Sequence, residues 1–254
     1  MQSSLTIALI SLACLSGGIV LGAVLRAILP EHHLRDDSKD VVKTAAALIA
    51  TLAALVLGLL VSSAKSSFDA MNFGVTQAGA KIILLDRVLA RYGPEAKEVS
   101  DLLRHEVSAT IGRVWPEEKN KVDGLSSVEA STAMEDVHTR IRGLSPQNES
   151  QRSIQSQALE ISSDLQQTRW LLIEETQGTL PTALIAILIF WLTVLYVSFG
   201  LFAPRNATAI TALFICALSI AGSIFLIQEL NQPVKGFIKI SSAPFVKALD
   251  IIGK

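Results

Sequence analysis

Thr44, Leu48, Thr51, Leu55, Gly58, Ser62 and Lys65 recur at steps of three and four residues, which lays them along one face of a helix. The line continues through Asp69, Asn72 and Thr76. Hydroxyl oxygens stacked this way can replace water around a passing ion, and leucines between them, here Leu48 and Leu55, can close the path by dewetting. The same stripe can equally be a packing seam, because helix contacts in lipid use small residues and hydroxyls. Residue types alone leave both readings open. Lys65 and Asp69, four residues apart, can neutralise each other, so no charge preference follows from them.

Other chemistry is sparse. The chain has no Gly-rich phosphate loop, no HExxH, no GxSxG and no calcium-loop spacing of aspartates. His105-Glu106 lacks a second histidine four residues on, and the adjacent His32 and His33 would point in different directions on a helix. Cys14 and Cys216 both fall inside apolar runs, which argues against a disulfide framework or a thiolate metal site. No enzymatic activity, cofactor or metal is expected. A net charge of −1 with dispersed Lys and Arg gives no reason to expect a nucleic-acid partner.

The elements that must hold the stripe are membrane spans. The 254 residues are 50% hydrophobic and 18% charged, with a mean hydropathy of +0.45. Four apolar runs, 5–29, 41–64, 180–202 and 207–230, each reach the roughly 20 residues that a bilayer core of ~30 Å requires of a helix. The first run lacks a basic n-region and is too long for a signal h-region, so it reads as a retained span. Residues 1–64 hold spans one and two, 65–179 a helical extramembrane domain, 180–230 a hairpin of spans three and four, and 231–254 an amphipathic tail. The expected fold class is an all-α membrane protein whose four spans flank, in two pairs, a central helical domain. Both termini and that domain then share one side of the membrane.

Local signals refine the layout. Gly18 and Gly22 form a GxxxG, read as a helix-packing site within the chain ahead of a dimerisation face. No proline interrupts 41–92, which predicts one long helix leaving the membrane, with Gly74 and Gly79 as points of bending. Gly93-Pro94 stops it and restarts the chain with Glu95 in a first turn. Val99, Leu102, Leu103, Val107, Ile111 and Val114 give the next helix an apolar face. Further helices are expected over about 127–142, and through Ile154, Ala158, Ile161, Leu165 and Leu172. Thr208, Ala212, Cys216, Ser219 and Ser223 suggest a close-packing face on span four. Glu229 at its exit is expected to be interfacial and hydrated. The tail, with Lys235, Lys239 and Lys247, can lie on a membrane surface or pack on the helical domain. Basic residues near the span ends are close to parity between the two sides, so charge counting does not orient the chain.

Three segments resemble the bacterial bestrophin-like domain family: Leu85-Asp86-Arg87-Val88-Leu89-Ala90-Arg91-Tyr92-Gly93-Pro94-Glu95, Arg113-Val114-Trp115-Pro116-Glu117 and Phe199-Gly200-Leu201-Phe202-Ala203-Pro204-Arg205-Asn206. The resemblance runs over nearly the whole chain. It implies kinship with bestrophins, which are pentameric ion channels with cytosolic termini and a helical cytosolic domain between spans two and three. By resemblance, then, the chain is a multi-pass protein of the bacterial inner membrane, with its termini and the 65–179 domain cytoplasmic. Its partners would be the lipid bilayer, further copies of itself in a homo-oligomer (a pentamer on the bestrophin pattern) and inorganic ions. The expected function is an oligomeric ion channel lined by Thr44, Leu48, Thr51, Leu55, Gly58, Ser62, Lys65 and Asp69. The competing class is a non-conducting membrane sensor or scaffold whose helical domain binds a protein partner.

Overall fold

The computed structural model describes residues 2–30, 36–116, 133–177, 182–204, 206–233 and 236–252. His32, His33, residues 117–132 (with the start of the helix expected over about 127–142), Pro181, Arg205 and Lys235 lie outside the described residues. The order is α1 (Gln2–Ile28), α2 (Asp36–Tyr92), a 3-10 turn (Pro94–Ala96), α3 (Lys97–Val114), α4 (Ala133–Arg142), α5 (Glu149–Gln177), α6 (Thr182–Phe202), α7 (Ala207–Leu230) and α8 (Ala243–Ile251). Among the described residues the fold is all-α, with four helices long and apolar enough to cross a membrane. The chain divides into one unit of Met1–Phe68 and Thr179–Ile238, and a second of Asp69–Gly178 and Lys239–Lys254.

The first unit carries the apolar helices. Its core joins Leu15 of α1, Ala53, Leu60 and Ala64 of α2, Leu188, Leu192 and Tyr196 of α6, and Ala217 and Ile227 of α7. Between lipid-embedded helices there is no hydrophobic driving force, so close van der Waals contact has to hold them together. Gly18, Gly22 and Gly200 supply it between α1 and α6. A Cβ at Gly18 would lie 3.1 Å from the Thr193 carbonyl oxygen, and one at Gly22 would lie 2.8 Å from the Leu201 backbone nitrogen. The GxxxG is thus spent inside the chain. Only 11% to 33% of each span's most apolar stretch is buried by the chain itself, so most of that surface faces outward.

Span four packs differently from the sequence expectation. Thr208, Ala212, Cys216 and Ser219 are exposed, whereas Ala217, Ala221, Ile224 and Ile227 of α7 are buried. The hydroxyls of Ser219 and Ser223 donate to the Ile215 and Ser219 carbonyls, 2.9 and 3.0 Å away, and are thereby satisfied within the helix. Small size permits close packing but does not choose the packed face. Large size does not choose it either, since Phe214, Ile215 and Leu218 of the same helix are exposed.

The second unit is a helical bundle. Ile82, Leu85 and Leu89 of α2, Leu103 and Ile111 of α3, Ile141 of α4 and Leu165 of α5 are almost wholly buried. Gly93 separates α2 from the 3-10 turn at φ 127°, ψ −176°, a conformation that is essentially glycine's alone. Gly74 and Gly79 are sites of close approach. Leu172 fills the space over Gly74, and the Pro244 backbone lies over Gly79. Of the two placements open to the tail, the structure adopts packing on the bundle. The Trp115 indole N–H donates to the Ile240 carbonyl (2.8 Å), its ring packs on Phe245 with centroids 5.7 Å apart, and Arg104 donates to the Ile252 carbonyl (2.9 Å). Gln155 caps the end of α4 by donating to the Ile141 and Leu144 carbonyls (3.0 and 2.8 Å), the first of which also accepts the Leu144 N–H.

Candidate functional site

The core face of α2 within the first unit is built on Ala53, Leu60 and Ala64, flanked by Ile49, Val56, Leu57 and Val61. At about 100° per residue, Thr44, Leu48, Thr51, Leu55, Gly58 and Ser62 fall roughly half a turn away. The structure places every one of them on the exposed side. Leu48 and Leu55 are 65% and 67% exposed, and no atom lies within 4 Å of where a Cβ on Gly58 would sit. From Thr44 to Lys65 the face is ~32 Å long, the thickness of a bilayer core.

The polar groups on this face are arranged in one sense. Thr44 Oγ1 donates to the Asp40 carbonyl and Thr51 Oγ1 to the Ala47 carbonyl, both at 2.9 Å. Each hydroxyl proton is therefore held by the helix, and the oxygen lone pairs are left facing outward. Lys65 and Asp69 follow as exposed charges one helical turn apart, Asp69 being the first residue of the second unit. In the second unit Asn72 and Thr76 are exposed, with the Thr76 hydroxyl again donating to its i−4 carbonyl at 3.0 Å.

Two features escaped the sequence reading. Phe73 of α2, in the second unit, is 67% exposed, an aromatic ring that the sequence reading did not name. Its signal was available, since Leu48, Leu55 and Phe73 are separated by multiples of a helical turn. The second is Glu229, expected to be hydrated and found fully buried at 0% exposure. One of its oxygens, Oε2, accepts the Phe237 backbone N–H, while Oε1 has no hydrogen-bond partner among the described residues. Gly236 is packed against the same carboxylate, where a Cβ would collide with it. The chain turns back after α7 through Gln232 N–H to Glu229 O (3.1 Å) and Gly236 N–H to Gln232 O (3.0 Å), which wraps the turn around the side chain. A charge that sequence position places at an interface is thus enclosed by its own loop.

A cavity of about 600 Å³ opens in the first unit between the start of α2, the end of α6 and the start of α7. Val42, Lys43, Ala46, Ala47 and Ala50 line it from α2, Ser198, Phe199, Phe202 and Ala203 from α6 and beyond, and Ala209, Ala212 and Leu213 from α7. Apart from Lys43 and Ser198 the lining is apolar. Among the described residues, no group of three or more His, Cys, Asp and Glu could hold a metal ion. In the second unit Glu106 is buried on α3, and burial raises its carboxyl above the ordinary range. His105, Arg113 and Arg169 pull against that rise, and Asp136 adds to it.

Comparison with known proteins assigns this architecture. The family model described as the Bestrophin-like domain matches residues 13–245, so the chain belongs to that family, a family of channel-forming membrane proteins. Among solved structures, a bacterial bestrophin homologue from Klebsiella pneumoniae with a leucine-to-threonine substitution matches with a TM-score of 0.66 at 12% identity, covering 97% of this chain and 99% of that one. The same homologue with an isoleucine-to-threonine substitution matches with a TM-score of 0.66 at 14% identity over the same shares. A membrane protein with a proline-to-alanine substitution matches with a TM-score of 0.65 at 12% identity over 100% of both chains. At these identities the likeness is one of fold. No curated protein matches the sequence.

Proposed function

We propose that this bestrophin-like chain is one subunit of a homo-oligomeric ion channel of the bacterial inner membrane, with α2 lining the pore. The observation that carries the reading is the bilayer-length face of α2, diametrically opposite the chain's own core and exposed along its whole length. Rotational symmetry turns each residue of such a face into a ring. Thr44 and Thr51 would form rings of outward lone pairs, able to replace part of an ion's hydration shell. Leu48 and Leu55 would form apolar constrictions that dewet when narrow. Lys65 and Asp69 would ring the cytoplasmic mouth, with the 65–179 domain and both termini on the same side. Phe73 would add an aromatic ring beyond them.

Single-channel recording from the reconstituted full-length protein tests this. Currents should change amplitude in Thr51→Ala and rise in open probability in Leu55→Ala; currents indifferent to both substitutions would remove the pore from this face. A second reading, a non-conducting scaffold, is favoured by Trp170 and Leu171 of α5, which are exposed in the second unit as protein-docking residues often are. Under that reading the purified protein gives no currents, and Trp170→Ala abolishes capture of a partner.

A further inference from the structure

The geometry points to a built site for an anionic phospholipid in the cavity between α2, α6 and α7, a binding function that does not rest on conduction. The cavity, about 600 Å³, lies in the range of pockets that hold small ligands. Its position sets the chemistry of the occupant. Lys43 stands near the start of the apolar run and Ala50 lies ~10 Å deeper along α2, so the cavity reaches from the headgroup level into the hydrocarbon. Ala47, Ala50, Phe199 and Leu213 offer an occupant nothing but apolar contact, which suits an acyl chain and leaves water without hydrogen-bond partners.

Charge at the rim selects among lipids. Lys43 lines the cavity itself. Its ammonium is 3.4 Å from the Asp40 carboxylate, but both side chains are well exposed, and an exposed pair of this kind holds its partners weakly. Arg26 of α1 reaches one lining residue. Its Nη1 donates to the carbonyl of Ala203, a lining residue, at 2.7 Å. That bond uses one of five guanidinium donors and leaves the others able to take phosphate oxygens. A phosphate with an apolar tail fits a lysine beside an apolar slot with Arg26 bonded to one lining residue, and a zwitterionic headgroup, carrying its own cation, fits them less well. Occupancy would also press on Ala47, whose carbonyl holds the Thr51 hydroxyl on the adjoining face of α2.

The test is lipid retention by the purified full-length protein. Delipidated protein in detergent is titrated with phosphatidylglycerol or phosphatidylcholine, and bound lipid per chain is counted by native mass spectrometry. Phosphatidylglycerol should be retained preferentially, and Lys43→Gln should reduce that preference about fivefold, the effect of one cation near a lipid surface. Ala47→Phe and, independently, Ala212→Phe project from exposed positions into the cavity and should reduce retention of both lipids. Equal retention of the two lipids by the unmodified protein, or a preference untouched by Lys43→Gln, overturns the headgroup assignment. Retention unchanged in both cavity-filling variants overturns the site. Loss of oligomer in those variants with retention unchanged assigns the cavity to a neighbouring copy instead, and equally overturns it.

Discussion

A leucine two-thirds exposed on the unpacked side of a helix contributes little to the stability of its own chain, because its removal leaves no cavity. Leu55→Ala should therefore leave stability in detergent, followed by thermal unfolding, within about 0.5 kcal/mol of the parent while changing conductance. A large loss of stability would show that Leu55 is packed against something in the assembly. Glu229 is the opposite case. Its carboxylate takes a backbone N–H inside a closed turn, so Glu229→Ala strands that donor and should cost about 1–3 kcal/mol, with Glu229→Gln, which keeps an acceptor, costing less. Equal losses in the two variants would mean that packing, and not the hydrogen bond, holds the turn. Glu106 yields a pH dependence. Its folded-state carboxyl is raised by burial, so the native chain binds more protons than the unfolded one between the ordinary carboxylate range and the raised value. Stability contributed by this group is therefore greatest at acid pH and falls as pH rises through that window. Denaturation midpoints followed against pH should show the slope in the parent and lose it in Glu106→Gln; persistence of the slope would assign it elsewhere. Of these three residues, only Leu55 could be placed from its spacing, since burial of a lone carboxylate depends on where the chain turns next.

At the scale of helices, glycines within two apolar spans have different roles. Gly22 lies against the backbone of α6 and Gly58 lies against nothing within the chain. Gly22→Ala should destabilise by about 1–3 kcal/mol, the cost of overpacking against main chain that cannot step aside. Gly58→Ala removes a flexible residue from mid-helix with no clash, so it should be neutral or stabilise by about 0.5–1 kcal/mol. Measuring both by thermal unfolding in one detergent checks the contrast; similar destabilisation at the two positions would show that Gly58 is a contact in the assembly. Helix existence was legible in periodicity, and the absence of proline correctly foretold that α2 runs unbroken from Asp36 to Tyr92. The packed face was less legible. The stripe of Thr208, Ala212, Cys216 and Ser219 looked like a seam, yet the seam of α7 runs through Ala217, Ala221 and Ile224. In lipid, both faces of such a helix are apolar or small, so the amphipathic contrast that marks a buried face in water is missing.

For the whole molecule, the outward surface is the governing fact. The spans bury at most a third of their apolar stretches internally, so the bilayer, together with neighbouring copies under the proposed channel, covers the rest. A chain that remained a monomer in mild detergent, by light scattering, would leave no central pathway for α2 to line. Four runs of bilayer length around a polar middle determined by themselves that this is an all-α membrane protein, because hydrocarbon admits only a helix or a closed barrel and period-two alternation is absent. The steps of three and four likewise determined that Thr44 to Lys65 share one face. Only the tertiary structure decided that this face is the one turned away from the core, that Gly18 and Gly22 are spent on α6, and that Glu229 is enclosed. Those outcomes depend on which helix lies against which, and a periodic pattern specifies the stripe on a helix without naming its neighbour.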